Sequence, residues 1–111
     1  DWIATRLVDD ALVGAVRLAW RSTIERDLGF IVARDHRGEG HATELMTLVT
    51  EAALASPEVV RVQASTHPDN AASIRVLEKS GFEVEGRLRR CRHFPNLGEA
   101  PQDLIVLSRL A

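Results

Sequence analysis

The run Gly29-Phe30-Ile31-Val32-Ala33-Arg34-Asp35-His36-Arg37-Gly38-Glu39-Gly40-His41-Ala42-Thr43-Glu44-Leu45-Met46 constrains this chain more than any other segment. An apolar, strand-forming stretch leads into a turn with two glycines. A helix-forming stretch follows at once. A helix that starts behind such a turn leaves its first N–H groups without intrahelical partners, and its dipole adds positive charge there. Phosphate oxygens bind to that arrangement. The expectation is an α/β fold that holds a phosphorylated ligand largely by backbone.

Three phosphate-binding patterns compete for this turn. A Walker loop needs Gly-x-x-x-x-Gly-Lys-Ser/Thr, which the chain lacks. A dinucleotide fingerprint needs a small third residue where Thr43 stands, and an acid about 20 residues on at a strand end. Glu58 has about that spacing but stands at the start of a strand-like run. The third pattern is Gln/Arg-x-x-Gly-x-Gly/Ala, filled by Arg37, Gly40 and Ala42.

A second block, Asn70-Ala71-Ala72-Ser73-Ile74-Arg75-Val76-Leu77-Glu78-Lys79-Ser80-Gly81-Phe82, follows in the same chain. After it come Glu85-Gly86-Arg87-Leu88-Arg89, a loop, and Asp103 before an apolar strand. Together the blocks resemble the GNAT superfamily of N-acetyltransferases, and within it the RimJ/RimL branch of ribosomal-protein alanine N-acetyltransferases. The resemblance runs from Val13 onward. It implies a mixed α/β fold: a mostly antiparallel sheet with two helices packed on it, in one domain over residues 1–111. It also implies a wedge, where the strand before the glycine turn splays from the next strand. GNAT domains usually carry a first strand and two helices ahead of the matched part. This chain opens on Asp1-Trp2-Ile3 without Met, so the expectation is a form shortened at its N-terminus.

Composition bounds the rest. A chain of 111 residues, 45% hydrophobic and 27% charged, suits one globular domain. A net charge of −2 argues against nucleic acid as a general partner. No apolar run approaches the ~20 residues that span a bilayer. The single cysteine, Cys91, cannot form an internal disulfide, which points to a reducing, cytoplasmic setting. His36, His41, His67 and His93 show no metal-ligand spacing, so no metal is expected. There is no tyrosine.

Local patterns place the elements. Residues ~2–8, ~12–20 and ~24–33 read as an antiparallel meander. A helix is expected from about His41 to Ala55, because Ala42, Leu45, Met46, Val49 and Ala53 recur at helical spacing. Val59 to Ala64 reads as a buried strand. Asp69 or Asn70 caps a second helix that Gly81 ends. Phe82 to about Phe94 and Asp103 to Leu110 close the sheet around a loop from Pro95 to Pro101.

The resemblance assigns roles to individual residues. Its cosubstrate is acetyl-CoA, and its acceptor is a primary amine on a protein N-terminus or a small molecule. It admits a homodimer. The pantetheine arm would lie along Phe30, Ile31, Val32 and Ala33, like an added strand. The pyrophosphate would sit on the backbone of Arg37, Gly38, Glu39, Gly40, His41, Ala42 and Thr43. Asn70 would contact the coenzyme arm near its acetyl end, and Lys79 would lie near its nucleotide end. Asp27 holds the place of an acidic strand residue in many GNATs, which makes it the candidate base. Leu77 holds the place where many GNATs have a tyrosine acid, so that mechanism is excluded here. Ser73 matches the serine given the acid role in the RimL-like branch. An oxyanion donor is expected from strand backbone near Ile31 and Val32. The basic run Arg87, Arg89, Arg90, Arg92 reads as a solvated strand face, or as a holder of an acidic acceptor or the nucleotide phosphate. Two other readings stay open: a coenzyme-binding module without catalysis, and a nucleotide-binding protein.

Overall fold

The computed structural model describes the backbone of residues 2–8, 11–32, 39–94, 97–98 and 100–111. The elements in chain order are β1 (Trp2–Val8), β2 (Ala11–Trp20), β3 (Glu25–Val32), α1 (Glu39–Leu54), β4 (Arg61–Thr66), α2 (Ala71–Lys79), β5 (Glu83–Arg92) and β6 (Gln102–Leu110). The strands form one six-stranded sheet in the order β1-β2-β3-β4-β6-β5. Among the described residues β3–β4 is its one parallel pair, and the other neighbours are antiparallel. A parallel pair needs a crossover, which α1 supplies. The expected mixed, mostly antiparallel sheet with two helices is therefore found.

Both helices pack on one face of the sheet. The α1 residues Ala42, Leu45, Met46, Val49 and Ala53 are all buried, as their spacing predicts. They meet Val16 and Leu18 of β2, Leu28 of β3, Val62 and Ala64 of β4, and Leu107 of β6 in one cluster. Val76 and Leu77 of α2 join the same cluster. Met46, Leu77 and Leu107 are fully buried, and burial of each stabilises the fold by about 1.5–3 kcal/mol. Strand alternation then directs Arg17, Ala19, Glu25, Asp27, Arg61, Gln63 and Ser65 to the opposite face.

Several element boundaries differ by one or two residues from the sequence reading, and those of α1 and β4 bear on the site. Helix α1 begins at Glu39, two residues ahead of His41, so Gly40 lies inside its first turn. Hydrophobic periodicity starts only at Ala42, because Glu39, Gly40 and His41 are not aliphatic residues. Strand β4 runs Arg61–Thr66 instead of Val59–Ala64. Its inward positions are Val62, Ala64 and Thr66, and the buried threonine hides the strand's last turn of phase.

The C-terminus of α2 is closed by hydrogen bonds from Phe82 N–H to the Leu77 carbonyl (3.0 Å) and from Gly81 N–H to the Glu78 carbonyl (3.1 Å). This is a Schellman closure, with Gly81 at φ +94°. A side chain there is strained, and its Cβ would lie 3.2 Å from Arg109 Nε. Gly81→Ala is expected to lower the unfolding free energy by about 1–2 kcal/mol in urea titration. An unchanged midpoint would contradict the strain argument.

Candidate functional site

The site begins where β3 and β4 part. Their parallel register runs Glu25↔Arg61, Arg26↔Val62, Asp27↔Gln63, Leu28↔Ala64 and stops there. β3 continues to Val32 and β4 to Thr66. From Gly29 to Val32, β3 stays paired with β2 only. Its other edge, which includes Ile31 and Val32, has no strand partner among the described residues. That edge offers the backbone row that an extended ligand can pair with. The splay that the resemblance implied is thus present.

Both helices start at this end of the sheet. In the first turn of α1, the N–H groups of Glu39, Gly40 and His41 precede any i−4 carbonyl within the helix. Asn70 caps α2: its Oδ1 accepts from the Ser73 N–H at 3.1 Å. Its side-chain amide N–H groups are not used by that cap. Asn70 and Ser73 are therefore brought together, with Ser73 half-buried one turn into the helix. Ala33, Arg37 and Gly38 lie outside the described residues.

The C-terminus of α2 reaches the early part of α1. Ser80 Oγ donates to the Val76 carbonyl at 2.8 Å and lies 3.5 Å from the Thr43 carbonyl. Lys79, the residue before it, is exposed beside this contact. Thr43 Oγ1 is buried and has no hydrogen-bond partner among the described residues. A buried hydroxyl without a partner costs about 1–3 kcal/mol. A phosphate oxygen or an ordered water would satisfy it. The unpaired β3 edge and the helix N-terminus fit the coenzyme that the resemblance implied.

Asp27 lies on the sheet face away from the helices, one step before the ladder ends. It is half-buried. Burial pushes its carboxyl above the ordinary 3.8, against the pull of Arg21, Arg92 and Arg17, while Glu25 adds to the rise. A raised carboxyl pKa makes a stronger base.

Beside the wedge opens a cleft of about 440 Å³ lined by Ser65, Thr66, His67, Asp69, Asn70, Arg92, Phe94, Leu97 and Leu104. The His67 ring is fixed there. Its Nδ1 accepts from the Asp69 N–H at 3.1 Å, and Nε2 faces Gln102 Oε1 at 3.3 Å. Phe94 packs on it edge-on, with ring centroids 5.2 Å apart. The sequence reading gave His67 no role beyond its lack of metal-ligand spacing and did not see this cleft. Its one legible trace was Arg92, at the end of the basic run.

That run is only partly a solvated face. All of β5 is exposed, Cys91 included. Yet Arg87 Nε donates to Asp103 at 2.7 Å, and the Arg90 N–H donates to the same carboxylate at 2.9 Å. Chiefly through that backbone donor, and then through Arg87, the Asp103 carboxyl is held below its ordinary value.

A second cluster braces the sheet near Asp27. Arg61 donates to Glu25 at 3.2 Å, to Gln63 at 2.8 Å and through both terminal nitrogens to Glu85. The Arg61 hydrogen bonds, helped by Ser108, pull the Glu85 carboxyl from 4.5 to about 2. A depressed carboxyl stabilises the fold above its unfolded value and loses that contribution as pH falls through the folded one. Between pH 4.5 and about 2 the melting temperature is therefore expected to fall, and to fall less steeply in Glu85→Gln. Parallel slopes in thermal melts of the two proteins would remove Glu85 from the acid response.

Among the described residues no helix is long and apolar enough to cross a membrane, and no three His, Cys, Asp or Glu side chains gather as a metal site.

The site is thus a splayed parallel pair with helix N-termini at its mouth and a half-buried carboxylate at its root. Residues 1–83 match the family described as "Acetyltransferase (GNAT) domain", and the chain belongs to that family. It is 34% identical over 103 residues to "Probable N-acetyltransferase YjcK" of Bacillus subtilis (strain 168), across 90% of this chain and 57% of that protein. The fold superposes on Mycobacterium smegmatis RimJ in complex with CoA-disulfide at a TM-score of 0.80 and 24% identity, covering 95% of this chain and 50% of that one. It also superposes on the Microcin C7 self immunity acetyltransferase MccE, in complex with acetyl-CoA and AMP, at a TM-score of 0.84 and 18% identity, covering 98% and 60%. At those identities the two structures speak for the fold alone. The chain spans 57% of the length of YjcK and 50–60% of these two structures.

Proposed function

We propose that this chain is the acetyl-CoA-dependent N-acetyltransferase unit of a RimJ/RimL-like protein, acting in the cytoplasm on the primary amine of a protein N-terminus or a small molecule. The observation that carries the reading is the β3–β4 splay, which leaves the β4-side edge of Gly29–Val32 without a strand partner among the described residues, beside two helix N-termini. Acetyl-CoA supplies an activated acyl group, so no acyl-enzyme is needed.

Each residue has a bounded task. The β3 edge at Ile31 and Val32, with Ala33 after it in sequence, pairs with the pantetheine arm. Backbone from Arg37 through Gly38, Glu39, Gly40, His41 and Ala42 to Thr43 holds the pyrophosphate. Thr43 Oγ1 adds a hydroxyl, and Lys79 adds charge toward the nucleotide. The Asn70 amide N–H groups orient the arm near the acetyl end. Asp27 accepts the amine proton through water as the N–C bond forms and the C–S bond breaks. Ser73 or a water it orients returns a proton to the leaving thiolate. Leu77 is fully buried, so the place of a tyrosine acid is taken by core packing.

Incubation with labelled acetyl-CoA and a panel of amines and N-terminal peptides tests this reading. The expected result is acetylated amine in step with free thiol, and no acetylated Cys91 or Ser73 on the way. A labelled protein adduct that passes its acetyl group to the amine would overturn direct attack. The rival reading, a coenzyme-binding module without turnover, gains from Leu77 in the tyrosine's place. Coenzyme binding without turnover of any amine would establish it.

A further inference from the structure

The cleft at the end of β4 points to the kind of amine this site takes. We infer that the acceptor carries a carboxylate close to its amine, and that Arg92 binds that carboxylate in the cleft. The inference rests on the acetyltransferase reading and narrows its acceptor.

The argument starts from position. The wedge and the cleft open at the same end of the sheet, because β3, β4 and β5 all run toward it. Asn70 lies on the rim of the cleft and also caps α2 beside the wedge. An amine presented to the wedge therefore places its other substituents in the cleft. Asp27 feels the charge of Arg92, so the candidate base and this cleft share one electrostatic field.

The charges then discriminate. Glu25 is engaged by Arg61 and Arg21, and Glu85 by Arg61. Asp103 is engaged by Arg87 and by the Arg90 N–H. The Arg92 side chain has no hydrogen bond or ion pair among the described residues, and it lines the cleft. The one carboxylate in the lining, Asp69, is 92% exposed and turned to solvent, 3.9 Å from His67 Nδ1. The lining thus offers a guanidinium to an anion and no sheltered carboxylate to a second amine. A polycationic acceptor needs the reverse. Phe94, Leu97 and Leu104 form an apolar wall where a guanidinium–carboxylate pair is less screened than in open water. Once Asp27 takes the amine proton, its negative charge is lost, and the field beside it shifts further toward anions.

Two sources supply such a carboxylate: the α-carboxylate of a free amino acid, and an acidic side chain next to a peptide N-terminus. Matched pairs separate them. Turnover of a free amino acid is compared with its carboxamide, and turnover of an N-terminal peptide with an acidic second residue is compared with its amide counterpart. A polyamine is the third arm. The expected result is a kcat/KM at least ~10-fold higher for the acid in one pair, carried by KM, equivalent to ~1.4 kcal/mol. The pair that shows it names the source. Arg92→Ala should collapse that ratio and Arg92→Lys should restore part of it, with melting temperature and coenzyme affinity serving as controls of the fold. Equal turnover within both pairs, preference for the polyamine, or a ratio that survives in Arg92→Ala would overturn the inference while leaving the acetyltransferase reading intact. Coenzyme binding with no turnover of any amine would overturn both.

Discussion

Gly40→Val is expected to weaken coenzyme A binding at least ~10-fold by isothermal titration while leaving the fold in place. Gly40 is the second residue of α1, where the backbone N–H groups still lack intrahelical partners. Side chains of a helix lean toward its N-terminus. A branched side chain at this position therefore projects over the groups that would hold the pyrophosphate. Glycine leaves that approach open. The helix itself loses little, since valine costs less than glycine in helix propensity. The core residues Ala42, Leu45, Met46, Val49 and Ala53 of α1 are not altered by the substitution. Coenzyme affinity unchanged in a folded Gly40→Val protein would move the phosphate away from this helix.

The parts of this molecule that the sequence discloses are those written in local period. Ala42, Leu45, Met46, Val49 and Ala53 recur at helical spacing and all reach the core. Asn70 and Gly81 stand at the two ends of α2 and close it by the hydrogen bonds their chemistry suggests. The splay of β3 from β4 is different in kind. Nothing in the alternation of either strand says that pairing ends at Leu28 and Ala64. Ladder length depends on what packs around both strands, so that feature was available only through the resemblance. The cleft was hidden for a similar reason. His67, Arg92 and Leu104 are far apart in the chain, and the order β4-β6-β5 brings them together. The Arg61 cluster joins β3, β4 and β5 in the same way.

Asp27→Asn should do to turnover what Gly40→Val does to binding. A positioned general base contributes about 10²–10⁴-fold, so turnover is expected to fall by ~10²-fold or more. Coenzyme affinity should stay within about twofold, since Asp27 lies on the sheet face away from both helices. The pH profile separates a base from a mere ion-pair partner. In the wild type, kcat/KM should rise with pH as the Asp27 carboxyl ionises, with its limb centred above 3.8. The limb should vanish in the variant, leaving only the ionisation of the amine itself. Stability should move the other way. A carboxyl whose folded pKa is raised binds its proton more tightly in the folded state than in the unfolded one. Its contribution is present below pH 3.8 and is lost as pH rises through the folded value. At neutral pH the burial of ionised Asp27 is therefore a cost, which the neutral amide removes. The variant should melt no lower than the wild type at pH 7 and should lose catalysis all the same. Steady-state kinetics beside thermal melts measure both. A variant that keeps full turnover and the acid limb would pass the base to another group. A variant that melts far lower would make Asp27 a structural residue of the sheet.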